Sequence, residues 1–323
     1  MKILITGGAG FVGHHFVEHF LKNTDAEIVV LDKLNYSGSY ERLRDIDAFD
    51  SKRVFCLASD FNTLGENVIS EIGDCSHIFH IGAESHVDNS ISNPYPFIES
   101  NVRGTQAVLD VARRMKGLEC FFYFSTDEVF GPAPEGVRYA EGDEHNPSNP
   151  YAASKSGGEM LVKSAGNTYG VPFIITRTMN IFGERQHPEK FIPLCISSAR
   201  DGRKITIHAN KEKTKAGSRF YIHARNVADA YLHLLEHGSL GESYHIVGEQ
   251  EVDNLELATL IADIQDKDLH YEMLDFHSSR PGHDLRYALC GEKMKSIGWE
   301  PPKSFRESLE RTVEWSLAHP NWL

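Results

Sequence analysis

The first half of this chain alternates short, continuously apolar runs with longer stretches of helical period. The runs are Lys2–Thr6, Glu27–Asp32, Val54–Leu57, Ile78–Ile81, Cys120–Phe124 and Pro172–Arg177. Runs this short that are apolar at nearly every position predict strands buried on both faces. Helical patterns lie between them, from about Phe11 to Lys22, from about Tyr95 to Lys116, and onward from Asn149-Pro150. Regular alternation of this kind predicts a parallel, doubly wound α/β sheet. Right-handed crossovers then bring the strand ends to one edge. From about Phe191 the strict alternation stops, and amphipathic patterns near Leu255–Gln265 and Phe305–Ala318 predict helices that pack elsewhere. The expected organisation is a doubly wound domain over residues 1–180. A smaller C-terminal α/β lobe over 181–323 is expected to interleave partly with it.

The first strand runs into Gly7-Gly8-Ala9-Gly10-Phe11-Val12-Gly13, with Gly7, Gly10 and Gly13 spaced G-x-x-G-x-x-G. Strand before and helix after supply the context that makes this spacing a dinucleotide signature, a Rossmann-type arrangement. The three missing side chains allow a sharp turn, close approach of a pyrophosphate, and tight helix–sheet packing. N–H groups at the helix start then face an anion. Asp32 ends the second strand 19 residues past Gly13, where a carboxylate accepts hydrogen bonds from ribose hydroxyls and disfavours a 2′-phosphate. NAD is therefore the expected cofactor, with Lys33 beside the ribose. The remaining strand ends place Asp60, Phe61, Ile81, Ala83, Ser85 and Ser125 along the same edge, joined by Asn101 from the following helix.

Composition narrows the class. The 323 residues are 41% hydrophobic, enough for a large core, and the formal charge is 33 − 46 = −13. An acidic chain is a poor partner for nucleic acid or anionic membranes, so neither is expected. Five cysteines without a C-x-x-C pair suit a reducing compartment, and the apolar start is too short for a signal-peptide core. No run approaches the roughly 18 apolar residues of a membrane span. A cytoplasmic enzyme is the expectation.

Ser125-Thr126-Asp127-Glu128 follows the apolar run Cys120–Phe124. Adjacent carboxylates at a strand end repel each other and lose solvation, so folding alone does not favour them. Tyr151 and Lys155 share one face of the next helix at i and i+4. A lysine ammonium near a tyrosine hydroxyl favours the phenolate, which can take a proton from an alcohol while hydride leaves the same carbon. Asn149 is placed to cap that helix and Pro150 to occupy its first turn.

With these motifs the chain resembles the extended short-chain dehydrogenase/reductases that modify nucleotide sugars. Ser125-Thr126-Asp127-Glu128-Val129-Phe130-Gly131 is similar to the signature of the dTDP-glucose 4,6-dehydratase branch, with Phe130 where that signature usually has Tyr. Ala83–Asp88, Pro188–Pro193 and Arg280–Tyr287 resemble the same branch, so the likeness covers nearly the whole chain. The resemblance implies oxidation at C4 of a nucleoside-diphosphate hexose, elimination of water across C5 and C6, and return of hydride to C6. NAD is then retained. Tyr151 would be the C4 base, Glu128 the C5 base, Asp127 the acid at C6, and Thr126 a partner of the C4 oxygen. The resemblance further implies a homodimer paired through the helices Tyr95–Lys116 and Tyr151–Tyr169. Substrate contacts are implied for Ser85, Thr126, Asn180, Glu189, Lys190, Arg219, Asn254, Arg280, His283 and Tyr287, with the two arginines facing the diphosphate.

Two alternatives stay open: a dehydratase of UDP- or another nucleotide sugar, or a 4-epimerase of the same fold. An epimerase has no elimination to run and no need of Asp127-Glu128. A catalytically silent NAD-binding regulator would have lost the tyrosine or the carboxylates, and all are present. The chain departs from the branch at residues 209–218, which are longer than the turn expected before Arg219 and are read as a flexible surface loop. His14, His15 and His19 lack a third ligand nearby, so no metal site is expected. His80 and His86 read as packed or hydrogen-bonded histidines.

Overall fold

A computed structural model describes residues 1–275 and 286–323. The described strands are β1 (Lys2–Thr6), β2 (Glu27–Asp32), β3 (Val54–Ala58), β4 (His77–His80), β5 (Cys120–Thr126), β6 (Phe173–Thr178), β7 (Asn180–Phe182), β8 (Ile205–Ala209), β9 (Ser218–His223), β10 (Ser243–Ile246), β11 (Glu251–Asp253) and β12 (Tyr271–Asp275). Seven of them make one sheet in the order β10-β6-β5-β4-β1-β2-β3. Every neighbouring pair in it is parallel. Strand order reverses between β1 and β4, which is where an open α/β sheet leaves a crevice for a ligand.

Both faces of this sheet are dry, which is why its strands read as unbroken apolar runs. Along β5, Phe122 packs with Phe16, Phe20, Phe79 and Tyr231 on one face. Phe121 and Tyr123 pack with Val108, Leu109 and Val162 on the other. The second half of the chain contributes to the first of these layers. The helix Ala224–His237 lies on the helix Phe11–Asn23 and inserts Tyr231, while β10 extends the sheet beside β6. A separate core around Ile196, Ile207, Tyr221, Leu257 and Leu309 joins the small sheets β11-β9-β7 and β12-β8 to the helices Phe191–Asp201, Asn254–Ile264 and Phe305–Ala318.

Three expectations need correction. The helix expected over Tyr95–Lys116 is broken into Tyr95–Ile98, a π-helical turn Glu99–Gly104, and Thr105–Ala112. At the wide turn the Asn101 amide donates to Glu84 O and Ser154 Oγ and accepts from Glu84 N, each at 2.9 Å. The wide ladder lasts only over Glu99–Gly104, too short a stretch for an apolar period to mark. Strand β5 also does not stop at Phe124. Ser125 and Thr126 are its last rungs, paired with Arg177 and Thr178 of β6. Residues 209–218, finally, form a compact turn: Asn210 Oδ1 accepts from Thr214 N and Lys215 N at 2.8 and 3.0 Å, and Asn210 N donates to Lys215 O at 2.9 Å.

Candidate active site

Gly7 turns the chain off β1 with φ +69°, a left-handed conformation that suits glycine. A side chain at Gly13 would overlap the Gly7 carbonyl oxygen, so the helix Phe11–Asn23 can start this close to the strand only as glycine. That helix opens on Gly10 with no side-chain cap, and Phe11, Val12 and Gly13 of its first turn line a cavity of about 220 Å³. First-turn N–H groups without a capping side chain are suited to an anion. Asp32 lines the cavity, its carboxylate accepting from Ala9 N at 3.1 Å and Leu34 N at 2.9 Å. Burial raises its pKa, and those two N–H groups work against the rise. Lys33 is paired with Glu84 at 2.7 Å. Tyr151 and Lys155 line the same cavity. A carboxylate at the end of β2 and an open helix start in one cavity together fit a dinucleotide.

Of the residues expected beside the cofactor, Gly7, Gly10, Phe11, Val12, Gly13, Asp32, Lys33, Phe61, Ile81, Ala83, Ser85, Tyr151 and Lys155 line this cavity. Three stand behind it. Asp60 caps the short helix Phe61–Thr63 through Asn62 N at 2.9 Å. Asn101 ties the Glu84 loop to the helix Pro150–Tyr169. Ser125 is buried with no partner for its Oγ.

The end of β5 carries the polar cluster. Thr126 Oγ1 donates to Asp127 Oδ1 at 3.0 Å, accepts from Glu128 N at 3.3 Å, and hydrogen-bonds the Tyr151 phenol. Asp127 is only 5% exposed, and its Oδ2 has no partner among the described residues. Burial pushes this carboxyl up to about 6, while Thr126 and the Arg219 guanidinium hold it back. Glu128, by contrast, is partly exposed and its Oε2 accepts from Asn149 Nδ2 at 2.8 Å. The two carboxylates therefore sit in different settings, which is how one pair supplies both an acid and a base.

Burial raises the Tyr151 phenol above its usual range, and the Glu128 carboxylate adds to the rise. Burial lowers Lys155 to about 7, opposed by Glu159 one turn on. Its Nζ lies 4.3 Å from the Tyr123 ring centre. The protein alone thus holds Tyr151 as a phenol, and a positive charge arriving in the cavity would favour the phenolate. Beneath this helix Glu159 and Arg177, both fully buried, form a bidentate pair at 2.7 and 3.0 Å.

The substrate positions are more scattered. Ser85, Glu189 and Lys190 line the cavity, with Glu189 3.6 Å from His86. Arg219 lies over the Tyr287 ring, 4.9 Å from its centre, on the Asp127 side. Asn254 accepts from Tyr221 Oη at 2.8 Å and starts the helix beside β11. Asn180 is exposed at the start of β7. Arg280 and His283 lie outside the described residues. His80 is buried between Thr6 Oγ1 at 2.7 Å and Thr105 Oγ1 at 3.0 Å. His14 and His15 bond Gly10 O and Glu184 O, each at 3.1 Å.

The sequence reading missed the wall formed by Tyr36, Ser37, Arg42, Gln186 and His187. It also missed the second task of Asn149, whose Oδ1 caps the helix through Ala152 N while its Nδ2 holds Glu128. An Asn-Pro helix start does flag the cap, but nothing local to it flags the carboxylate 21 residues away.

The model of the NAD dependent epimerase/dehydratase family matches residues 3–247. The chain belongs to that family. Among curated members it is 37% identical over 347 residues to the dTDP-glucose 4,6-dehydratase of Salmonella typhimurium, covering 100% of this chain and 94% of that one. It is 38% identical over 317 residues to the low-salt glycan biosynthesis protein Agl12 of Haloferax volcanii, covering 98% and 99%. Among solved members, DesIV of Streptomyces venezuelae, a dTDP-glucose 4,6-dehydratase with NAD and TYD bound, superposes with a TM-score of 0.89 at 36% identity. That match covers 100% of this chain and 98% of DesIV.

Proposed function

We propose that this member of the epimerase/dehydratase family is an NAD-dependent 4,6-dehydratase of a nucleoside-diphosphate hexose, dTDP-glucose first, giving the 4-keto-6-deoxy sugar. The observation that carries this reading is the Asp127-Glu128 pair beside Tyr151. One carboxyl is buried, raised to about 6 and open on one oxygen, and the other is held by Asn149. The 4,6-dehydratases among its relatives support the reading.

Bound NAD would supply hydride acceptance from C4 and hydride return to C6. Asp32 would hold the ribose hydroxyls, the uncapped helix start the pyrophosphate, and Tyr151 with Lys155 the nicotinamide end. Tyr151 would take the C4 hydroxyl proton, with Thr126 bonded to the same oxygen. Once C4 is a ketone the C5 proton is acidic, and Glu128 would remove it and give a proton back to C5 as hydride returns to C6. Asp127, in the protonated form that its raised pKa keeps populated up to about pH 6, would give its proton to the departing C6 hydroxyl, so the atoms lost are those of one water. Arg219, close to Asp127 and stacked on Tyr287, would serve the substrate's diphosphate side.

Free cysteines and the lack, among the described residues, of any helix able to cross a membrane fit a cytoplasmic setting. A homodimer is part of the same proposal, supported by large apolar side chains left exposed on neighbouring helices: Ile91, Tyr95, Ile98 and Met160.

The deciding experiment incubates the purified protein with glucose carried on dTDP, UDP, CDP and GDP and weighs the products. Loss of one water, fastest with the dTDP sugar, is expected. A sugar of unchanged mass but changed configuration would instead mark a 4-epimerase.

A further inference from the structure

The reaction proposed above returns every electron it takes, so it needs a cofactor that stays bound between turnovers. The inference here rests on that reading. Two loops far apart in sequence face each other across the cavity that Asp32 and the glycine loop define. One is the stretch after β2, residues 33–38. It lies on the glycine loop, with Ser39 N donating to Ala9 O at 3.0 Å. The other is the stretch after β7, residues 183–190. Tyr36 and Ser37 from the first, with Gln186 and His187 from the second, wall the same space. The rings of Tyr36 and His187 meet edge to face at 6.3 Å.

Two arginines tie these loops together. Arg42, 4% exposed, donates through Nη1 to Ser37 O at 2.8 Å and through Nε to Arg185 O at 3.2 Å, so one side chain binds both walls. Arg185 answers from the opposite loop. Its Nε meets Asp45 Oδ2 at 2.7 Å and its Nη2 meets Asp45 O at 2.6 Å. Its guanidinium also lies over the Trp315 ring at 4.6 Å. Arg185 is built at φ +64°, a left-handed conformation that costs a non-glycine residue roughly 1 kcal/mol or more. His15 and His223 fix the preceding residue, Glu184, from behind, at 3.1 Å to its carbonyl and 2.8 Å to its carboxylate. Arg185 thus anchors the second loop to Asp45, at the end of the short helix Tyr40–Arg44 that carries Arg42, and Arg42 in turn joins that helix to both loops.

We infer that Arg42, Arg185 and Asp45 form a clasp that closes the two loops over the dinucleotide and slows its release. The clasp residues are positioning residues: they hold the wall, and the chemistry proceeds beyond them. Cofactor retention is therefore separable from turnover.

The test measures release directly. Bound dinucleotide is quantified after denaturing the purified holoenzyme, and its exchange is followed by a chase with isotopically labelled NAD. Arg185→Gly suits the left-handed backbone and removes the whole side chain, guanidinium included, while keeping the carbonyl that Arg42 bonds. Asp45→Ala removes the partner carboxylate at a half-exposed position, and decides the matter if the first variant folds poorly. Each variant is expected to release NAD about tenfold faster or more, the size set by losing one charge-assisted contact. Activity lost on dilution should return when NAD is added, which a general loss of folding would not allow. A parent that retains NAD alongside variants that retain it equally long overturns the clasp alone. A parent that binds no NAD overturns the underlying reading, and the clasp with it.

Discussion

Asp127 shows how one residue's surroundings set its chemistry. Burial holds its carboxyl near 6, against 3.8 in an open chain, so at neutral pH the folded protein carries an ion it has little water to solvate. The sign follows from linkage: the folded state binds the proton more tightly than the unfolded one, so ionisation erodes stability as pH rises from about 4 to about 6. Asp127→Asn removes that cost. At pH 8 it should stabilise the fold by about 1–2 kcal/mol, less than the full shift implies because a buried amide is left unpaired. At pH 4, where the parent's carboxyl is protonated in the fold, the gain should be gone and the variant should unfold at the parent's denaturant concentration or below it. Activity should move the opposite way. A proton donor with this pKa gives kcat/KM for water loss a limb that falls above about pH 6, and the variant should lose that limb along with about a hundredfold or more in rate. A pH profile of the same shape in both proteins would remove Asp127 from the role of acid.

At the level of elements, the helix Pro150–Tyr169 organises the site, and its first residue outside the helix does two jobs. Asn149 caps it through Ala152 N and holds the Glu128 carboxylate with the same amide. Asn149→Asp separates the two. Aspartate caps as well as asparagine, so stability should stay within about 0.5 kcal/mol of the parent, yet its charge would push Glu128 away. Displaced by about an ångström, the base should slow elimination about 10- to 100-fold while C4 oxidation continues. Single-turnover absorbance would then show bound NADH building up. Elimination at the parent rate would mean that Glu128 does not depend on Asn149. This arrangement marks the limit of what the sequence discloses. Apolar runs and glycine spacing disclose the strands β1 to β6 and part of the cavity lining, because those signals are local and periodic. Asn149 to Glu128, Arg42 to Arg185 and Asn101 to Ser154 span 21, 143 and 53 residues, and no period links them. The π-helical turn is hidden for another reason: it is too short a stretch for an apolar period to mark.

Across the whole molecule, several large apolar side chains stay exposed, and four of them lie on helices beside the site. Tyr95 is 74% exposed, and Ile98, Met160 and Ile91 are 47%, 46% and 39% exposed. They come from helices that pack on one another: Val87–Ser92 and Tyr95–Ile98 both lie on Pro150–Tyr169. Scattered apolar residues on a surface need no account, and the proposed homodimer rests on four large ones carried by adjoining helices. A second copy is the occupant that fits, since a two-fold axis lets the same helices cover each other. That face adjoins the π-helical turn and the helix carrying Tyr151 and Lys155, so pairing would brace the helix at the centre of the site. Tyr95→Ser combined with Ile98→Glu removes the largest ring and buries a charge in any such contact. Sedimentation velocity should find the parent at twice the mass of its 36.3 kDa chain and the double variant at the single-chain mass. The parent's melting temperature should rise with protein concentration and the variant's should not, because only association links stability to concentration. A double variant that still sediments as a dimer would place the subunit contact on another face.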